Sequence, residues 1–257
     1  MGRPWLTVSA GFLFLFFAWV IPAFAQRDAV KTFDQIKAQR DKIPFESARL
    51  TMRMVAGNGK SRERVLQTWS HNTPSRTRLM LVFDAPADVK GTALLGITRE
   101  GNSQQKLFLP ATGKIQTISN AQKADRFLGT DFTYEDLGEY NSNDFTYQTL
   151  SEQGDRWVVR ATPKTKAKNG YAWVEHTVDT KRLLLLSSQF YDAKGKLLRQ
   201  LTVDQVAEVK SGVWKSSTMT MKDVVRGSQT TLTWKQRTFD PIPDQNFTER
   251  FMQRSSQ

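Results

Sequence analysis

Two kinds of spacing divide the chain. Over residues 28–42, Val30, Phe33, Ile36 and Lys37 recur at helical intervals. Asp28 stands where an N-cap belongs, and Pro44 stops the helix. From about residue 48 to 240 the period drops to two. Leu50, Met52 and Met54 alternate with Thr51 and Arg53. After the turn signal Gly57-Asn58-Gly59, Arg62, Arg64 and Leu66 alternate with Glu63, Val65 and Gln67. Further strands are predicted over 76–83, 92–98, 106–109, 114–118, 146–151, 156–162, 172–179, 184–191, 197–209, 213–221 and 229–238. Short turns join many of them, such as Ala111-Thr112-Gly113, Gln153-Gly154-Asp155 and Lys210-Ser211-Gly212. Many short strands with hairpin-length connections and no helices between them describe an antiparallel meander, not a series of βαβ units.

One stretch interrupts the alternation. Between about 119 and 140 the pattern loses its period, and Phe127, Leu128, Phe132 and Leu137 are left without a strand to carry them. Asp131 can cap a short helix there. An insertion of this length between two halves of a sheet acts as a lid over a barrel mouth or as a plug completing the core. Beyond Pro241 the tail, residues 241–257, holds a second short helical stretch around 247–252.

Several strands place large apolar side chains on one face. These are Leu50, Met52 and Met54; Leu79, Leu81 and Phe83; Leu95 and Ile97; Met219 and Met221; Leu232 and Trp234. Methionine adapts to irregular apolar surfaces and to varied ligands. A many-stranded barrel has more interior than a few loops can fill, and an apolar cavity left there is the default binding site. The competing reading is that these residues pack against the helices. The lid is expected from Phe33 and Ile36 of the first helix and from Phe127, Leu128, Phe132 and Leu137.

The ends and the composition narrow the setting. Arg3, an apolar run over 11–20, the break at Pro22 and the Ala23-Phe24-Ala25 exit have the form of a secretory signal peptide, cleaved after Ala25. The apolar run is shorter than the ~20 residues of a spanning helix. There is no cysteine, hence no lipidated N-terminus and no disulfide. The net charge of +12 favours anionic partners. For an exported chain with scattered Lys and Arg, these are phosphate-rich membrane surfaces and not nucleic acid. Catalysis finds little support. His71 and His176 are the only histidines and show no metal-ligand spacing. Glu135-Asp136 reads as capping and solvated charge more readily than as an acid/base pair. No phosphate-loop or nucleophile-elbow motif is present.

Three blocks in order carry a family resemblance: Phe83-Asp84-Ala85-Pro86-Ala87-Asp88-Val89-Lys90-Gly91-Thr92-Ala93-Leu94-Leu95, then Lys106-Leu107-Phe108-Leu109-Pro110-Ala111-Thr112-Gly113-Lys114-Ile115, then Phe127-Leu128-Gly129-Thr130-Asp131-Phe132-Thr133-Tyr134-Glu135-Asp136-Leu137. With the leader, helix and meander they resemble the LolA-like outer-membrane lipoprotein-sorting proteins, in the branch found beside transporters of the resistance–nodulation–division type. The resemblance implies a mainly β fold, an unclosed and strongly curved antiparallel half-barrel with helices as its lid. It implies a soluble, monomeric periplasmic carrier with lipid or lipoprotein acyl chains in the concavity, an inner-membrane donor and an outer-membrane acceptor. It implies no catalytic residue, cofactor or metal. An arginine near the start of the third strand holds the lid of the lipoprotein carriers shut; Arg76 and Arg78 are the candidates here. Two other readings remain open: an accessory subunit of an envelope transporter that binds protein at a strand edge, and an outer-membrane barrel. Against the barrel, Arg53, Arg62, Arg64, Arg160 and Lys222 interrupt any lipid-facing belt.

Overall fold

The structure, a computed structural model, describes residues 23–165 and 171–255. The expected signal peptide lies outside them except for residues 23–25, which begin a helix. That helix, α1, spans Ala23–Asp41 and so starts five residues before the predicted N-cap. Residues 23–27 contain no helix breaker, so nothing local halts it short of Pro22.

Among the described residues thirteen strands follow: β1 (Phe45–Val55), β2 (Ser61–Asn72), β3 (Arg76–Ala85), β4 (Ala93–Arg99), β5 (Asn102–Leu109), β6 (Lys114–Thr117), β7 (Phe145–Gln153), β8 (Arg156–Pro163), β9 (Trp173–Asp179), β10 (Leu184–Tyr191), β11 (Leu197–Lys210), β12 (Val213–Asp223) and β13 (Ser228–Thr238). A last helix, α2, covers Glu249–Arg254, capped by the Thr248 side chain. All strands belong to one antiparallel sheet in the order β6-β5-β4-β3-β2-β1-β13-β12-β11-β10-β9-β8-β7. Two meanders therefore meet at the β1–β13 seam. The edges are β6 and β7, which are consecutive in the chain yet not paired, so the sheet is an unclosed barrel. The topology has a direct consequence: the connection from β6 to β7 has to pass from one edge of the sheet to the other.

Register defines the two faces. Leu107, Leu94, Leu81, Thr68 and Ala48 face one another across β5–β1. Met52, Leu232 and Met219 form one row across β1–β13–β12, and Met54, Thr230 and Met221 the next. The apolar side chains among them share a buried cluster with Phe127, Phe132 and Tyr134 of the β6–β7 connection, with Met54 and Met219 packed at its border. This is the lid-covered face. On the opposite face, Met80, Val82, Ala93, Leu95 and Phe108 are buried against Ile242, Phe247 and Met252 of the C-terminal segment.

The α1 helix lies against β7 on the lid-covered side. A third cluster, Ala29, Tyr147, Val159 and Ala161, is bordered by Phe33, and its Val159 pairs in register with His176. The Phe33 ring stacks on Tyr147 at 5.1 Å and meets His176 edge-on at 5.4 Å. Among the described residues no helix is long and apolar enough to cross a membrane.

Candidate functional site

The β6–β7 connection consists of single 3-10 turns, Gln122–Ala124, Phe127–Gly129, Glu135–Leu137 and Ser142–Asp144. Phe127, Phe132 and Tyr134 of this connection are buried against the sheet. Phe127 is fully buried and stacks on Phe83 at 5.9 Å, with Tyr134 edge-on at 5.5 Å. Phe132 is buried beside them, while Leu128 and Leu137 are half-buried at the margin. Leu128 adopts φ 46° and Gly129 φ 77°. A branched side chain in the left-handed region is strained, and here the Arg64 guanidinium holds the turn by donating to the Leu128 carbonyl at 2.9 Å.

Polar ties fix this lid to the sheet at several points. Asp131, 4 % exposed, accepts from Thr230 Oγ1 at 2.7 Å, from Ser228 Oγ at 2.5 Å and from Arg126 Nη1 at 2.9 Å. Arg126 also pairs with Asp223. From β11, Arg199 grips Asp136 with Nη1 at 2.6 Å and Nη2 at 3.4 Å, while lying over the Phe190 ring. Gln105 of β5 donates to the Tyr134 carbonyl at 2.8 Å. Where the lid leaves the sheet, Glu139 receives Arg40 at 3.0 Å, Lys37 at 3.5 Å and the Thr77 hydroxyl. Burial pushes the Glu139 carboxyl up, but the Thr77 hydrogen bond and the Arg40 and Lys37 charges outweigh it and hold it below the usual carboxylate range.

The predicted lining residues separate by face. Leu50, Met52, Leu81, Phe83, Met221 and Leu232 are buried in the lid-covered cluster, and Met54, Met219 and Trp234 border it. Leu79 lies in the same alternation, at Gly96 and Thr77. Leu95 and Ile97 are a correction. Leu81 pairs with Leu94 and Met80 with Leu95, so Leu95 and Ile97 join the opposite cluster beneath the C-terminal segment. The predicted lid also divides. Phe127, Leu128, Phe132 and Leu137 gather over the methionine rows, whereas Phe33 sits at the far end among Tyr140, Tyr147 and His176, with Ile36 half-buried one turn along α1.

The expected lid arginines are corrected too. Arg78, 4 % exposed, contacts His71 and pairs with Asp244 at 2.7 Å under the Phe247 ring, tying down the C-terminal segment. Arg76 stands opposite Arg99 across β3–β4. Arg199, Arg126, Arg64 and Arg40 hold the lid instead. Asp131, expected as a helix cap, is ligated by β13, and Asp136 both accepts from the Thr133 backbone at 2.7 Å and receives Arg199. A local cap is legible in sequence; a partner 63 residues away is not.

His176 is enclosed, with Nδ1 at 2.8 Å from Ser188 Oγ, and burial pushes its imidazole down to about 4. It remains neutral in the core. His71 stacks on Phe45 at 4.2 Å; burial and the nearby Arg78 charge lower it. Among the described residues, no group of three or more His, Cys, Asp or Glu is placed to hold a metal.

A cleft of about 360 Å³ opens beside the lid, between Met54, Arg62 and Arg64 on one side and Leu128, Arg126 and Arg226 on the other. A smaller one of about 180 Å³ runs between Leu79, Gln105 and Leu137. On the opposite face, a third of about 200 Å³ lies between Leu95, Ile97 and Phe247.

With this geometry in hand, known proteins give the following likenesses. A family model with the description "uncharacterized protein"-like matches residues 75–254. No curated protein matches. Among solved structures, the chain is similar to a putative outer membrane lipoprotein-sorting protein domain from Vibrio parahaemolyticus, at 26% identity over 87% of this chain and 97% of that one, TM-score 0.81. It is similar to a DUF1329 family protein from Desulfovibrio piger, at 24% identity over 87% and 98%, TM-score 0.77. A LolA superfamily protein from Nitrosomonas europaea matches at 19% identity over 85% and 98%, TM-score 0.65. The last two speak for the fold.

Proposed function

This chain belongs to the "uncharacterized protein"-like family matched over residues 75–254 and has the LolA-like unclosed-barrel fold, and from that premise we propose that it is a non-enzymatic periplasmic carrier. Its cargo is the acyl part of a lipoprotein or another lipid, held against the lid-covered face and moved toward the outer membrane. One observation carries this reading: the segment covering the apolar face is the obligatory link between the two sheet edges, and the ion pairs Arg126–Asp223 and Arg199–Asp136 fasten it over four methionines, Met52, Met54, Met219 and Met221.

The physical logic is an exchange of apolar contacts. Each methylene removed from water is worth about 0.8 kcal/mol, so a chain crossing an aqueous compartment needs comparable burial. The face beneath Phe127 and Phe132 offers it once those rings withdraw. Their own burial supplies the opposing force that limits affinity and allows release. Methionines re-pack around whichever occupant is present. Ion pairs at the lid margin re-form in one geometry, bidentate at Arg199.

The test is to purify the full chain without detergent, extract it with organic solvent for mass spectrometry, and titrate the delipidated protein with N-phenyl-1-naphthylamine. Copurifying lipid or saturable probe fluorescence is expected. Empty extracts together with a probe signal no higher than buffer would end the carrier reading.

A second reading has one foothold. β7 is an edge strand of nine residues carrying an exposed Leu150, and an open edge accepts a partner strand. A transporter subunit captured by the lipid-free protein, and lost on Leu150→Lys, would favour the accessory role.

A further inference from the structure

Along β2 the lid-covered face changes character. Leu66 opposes Leu50 in the apolar cluster; the next two positions on the same face are Arg64, opposite Met52, and Arg62, opposite Met54. The β1–β2 turn, with Lys60, abuts the β12–β13 turn, with Arg226. The approach is so close that a Cβ on Gly57 would come 2.5 Å from the Arg226 carbonyl oxygen. Together with Arg126 of the lid, these side chains bring five cations to the cleft of about 360 Å³ whose apolar lining includes Met54 and Leu128.

Of the nearby acids, Asp131 and Asp223 are already engaged, and the charge of Asp88 acts on Arg64. Asp131 is satisfied by Thr230, Ser228 and Arg126. Asp223 receives Arg126 and the Arg226 backbone amide. Arg64 is committed to the Leu128 carbonyl. Among the described residues, no ion pair involves the side chains of Lys60, Arg62 or Arg226. Uncompensated like charges converging on a cleft with apolar walls focus a positive potential there. Guanidinium groups suit the planar, multi-acceptor geometry of phosphate and carboxylate.

We propose that this cleft is a head-group site for an anionic amphiphile, its phosphate or carboxylate lying among Lys60, Arg62 and Arg226 and its acyl chain passing under Leu128 along Met54 toward Met221. The inference rests on the carrier reading and adds a substrate class to it: anionic single- or double-chain lipid in preference to zwitterionic lipid. It also links head group to lid. An anion at the cleft competes with the Leu128 carbonyl for Arg64 and with Asp223 for Arg126, so the ligand that needs the lid open weakens two of its ties.

The experiment compares oleoyl lysophosphatidic acid with oleoyl lysophosphatidylcholine as displacers of N-phenyl-1-naphthylamine from the full chain, with inorganic phosphate as a third arm. The proteins are wild type, Arg62→Ala/Arg226→Ala and the charge-conserving Arg62→Lys/Arg226→Lys, with near-ultraviolet circular dichroism as the fold control. The wild type should prefer the anionic lipid by roughly tenfold, given what each basic side chain contributes at a lipid surface. That ratio should collapse toward one in the alanine pair, survive in the lysine pair, and shrink with salt. Inorganic phosphate alone should not displace the probe. A saturable probe with no anionic preference, or a preference untouched by the alanine pair, overturns the head-group site while leaving the carrier standing. Phosphate alone displacing the probe as well as the lysolipid does would instead make this a free-anion site and also overturns the proposal. If no apolar probe or lysolipid binds at all, both the carrier reading and this inference fail.

Discussion

The two ends of the lid-covered face are closed by different chemistry. Over β7–β9, α1 brings Phe33 into a stack of Tyr140, Tyr147, Phe145 and His176, and the Tyr140 and Tyr147 hydroxyls meet at 2.7 Å. Burial raises both phenols, Tyr140 most, so they stay protonated and keep that bond. Over β1, β12 and β13 the cover is Phe127 and its neighbours on a bed of methionines, pinned at the margin by arginines. Rings that interlock leave few alternative arrangements, whereas methionines leave many. One sheet face therefore holds a rigid end and an adaptable end, and the adaptable end opens beside the cationic cleft.

Substitution can break this contrast. The largest effect is expected from paired truncations: Phe127→Ala, at a fully buried ring, should lose about 3–5 kcal/mol of unfolding free energy in urea, and Phe33→Ala, at a half-buried ring, less. The two should differ in ligand behaviour. Phe127→Ala should raise N-phenyl-1-naphthylamine uptake because its ring vacates apolar surface beneath the lid, and Phe33→Ala should not. Equal uptake in both would erase the distinction between the ends.

Acid should act first at the rigid end. The His176 imidazole titrates near 4 in the folded protein because burial disfavours its charge; in the unfolded chain it titrates near 6.5. The unfolded state thus binds the proton first as pH falls. The stabilisation present above about pH 6.5 declines between about pH 6.5 and 4, by on the order of 3 kcal/mol. His176→Gln should flatten that part of the stability–pH curve measured by urea unfolding. An unchanged slope would mean that other groups dominate.

Arg199→Ala leaves the Asp136 carboxylate, 14% exposed, without its cation. A loss of about 2 kcal/mol is expected, within the range for truncating one partner of a buried pair, together with faster amide exchange over 131–137. Arg78→Ala should leave exchange there unchanged, because Arg78 holds the C-terminal segment on the other face. The smallest effect belongs to Met219→Leu, within about 1.5 kcal/mol in stability. Its signature should be a narrower range of chain lengths bound, read by displacement with fatty acids of graded length.

Side-chain alternation along a strand is a local property of the pleat, and so the strands, the turns and the apolar stripes were all legible in the sequence. Loss of that alternation also marked the segment that became the lid. Parity between strands is not local. β3, β4 and β5 are apolar on both faces, so the pattern alone grouped Leu95 and Ile97 with Leu81, and only the hydrogen-bonded register of Leu81 with Leu94 set them on the opposite side. The arginine ties were hidden for the same reason. Arg126 finds Asp223 across 97 positions and Arg199 finds Asp136 across 63, pairings made by curvature of the whole sheet. Sequence determined which segments could be strands and which one could not; the tertiary structure decided which face each side chain serves and which charges meet, because those depend on distances that exist only after the sheet has curved around its lid.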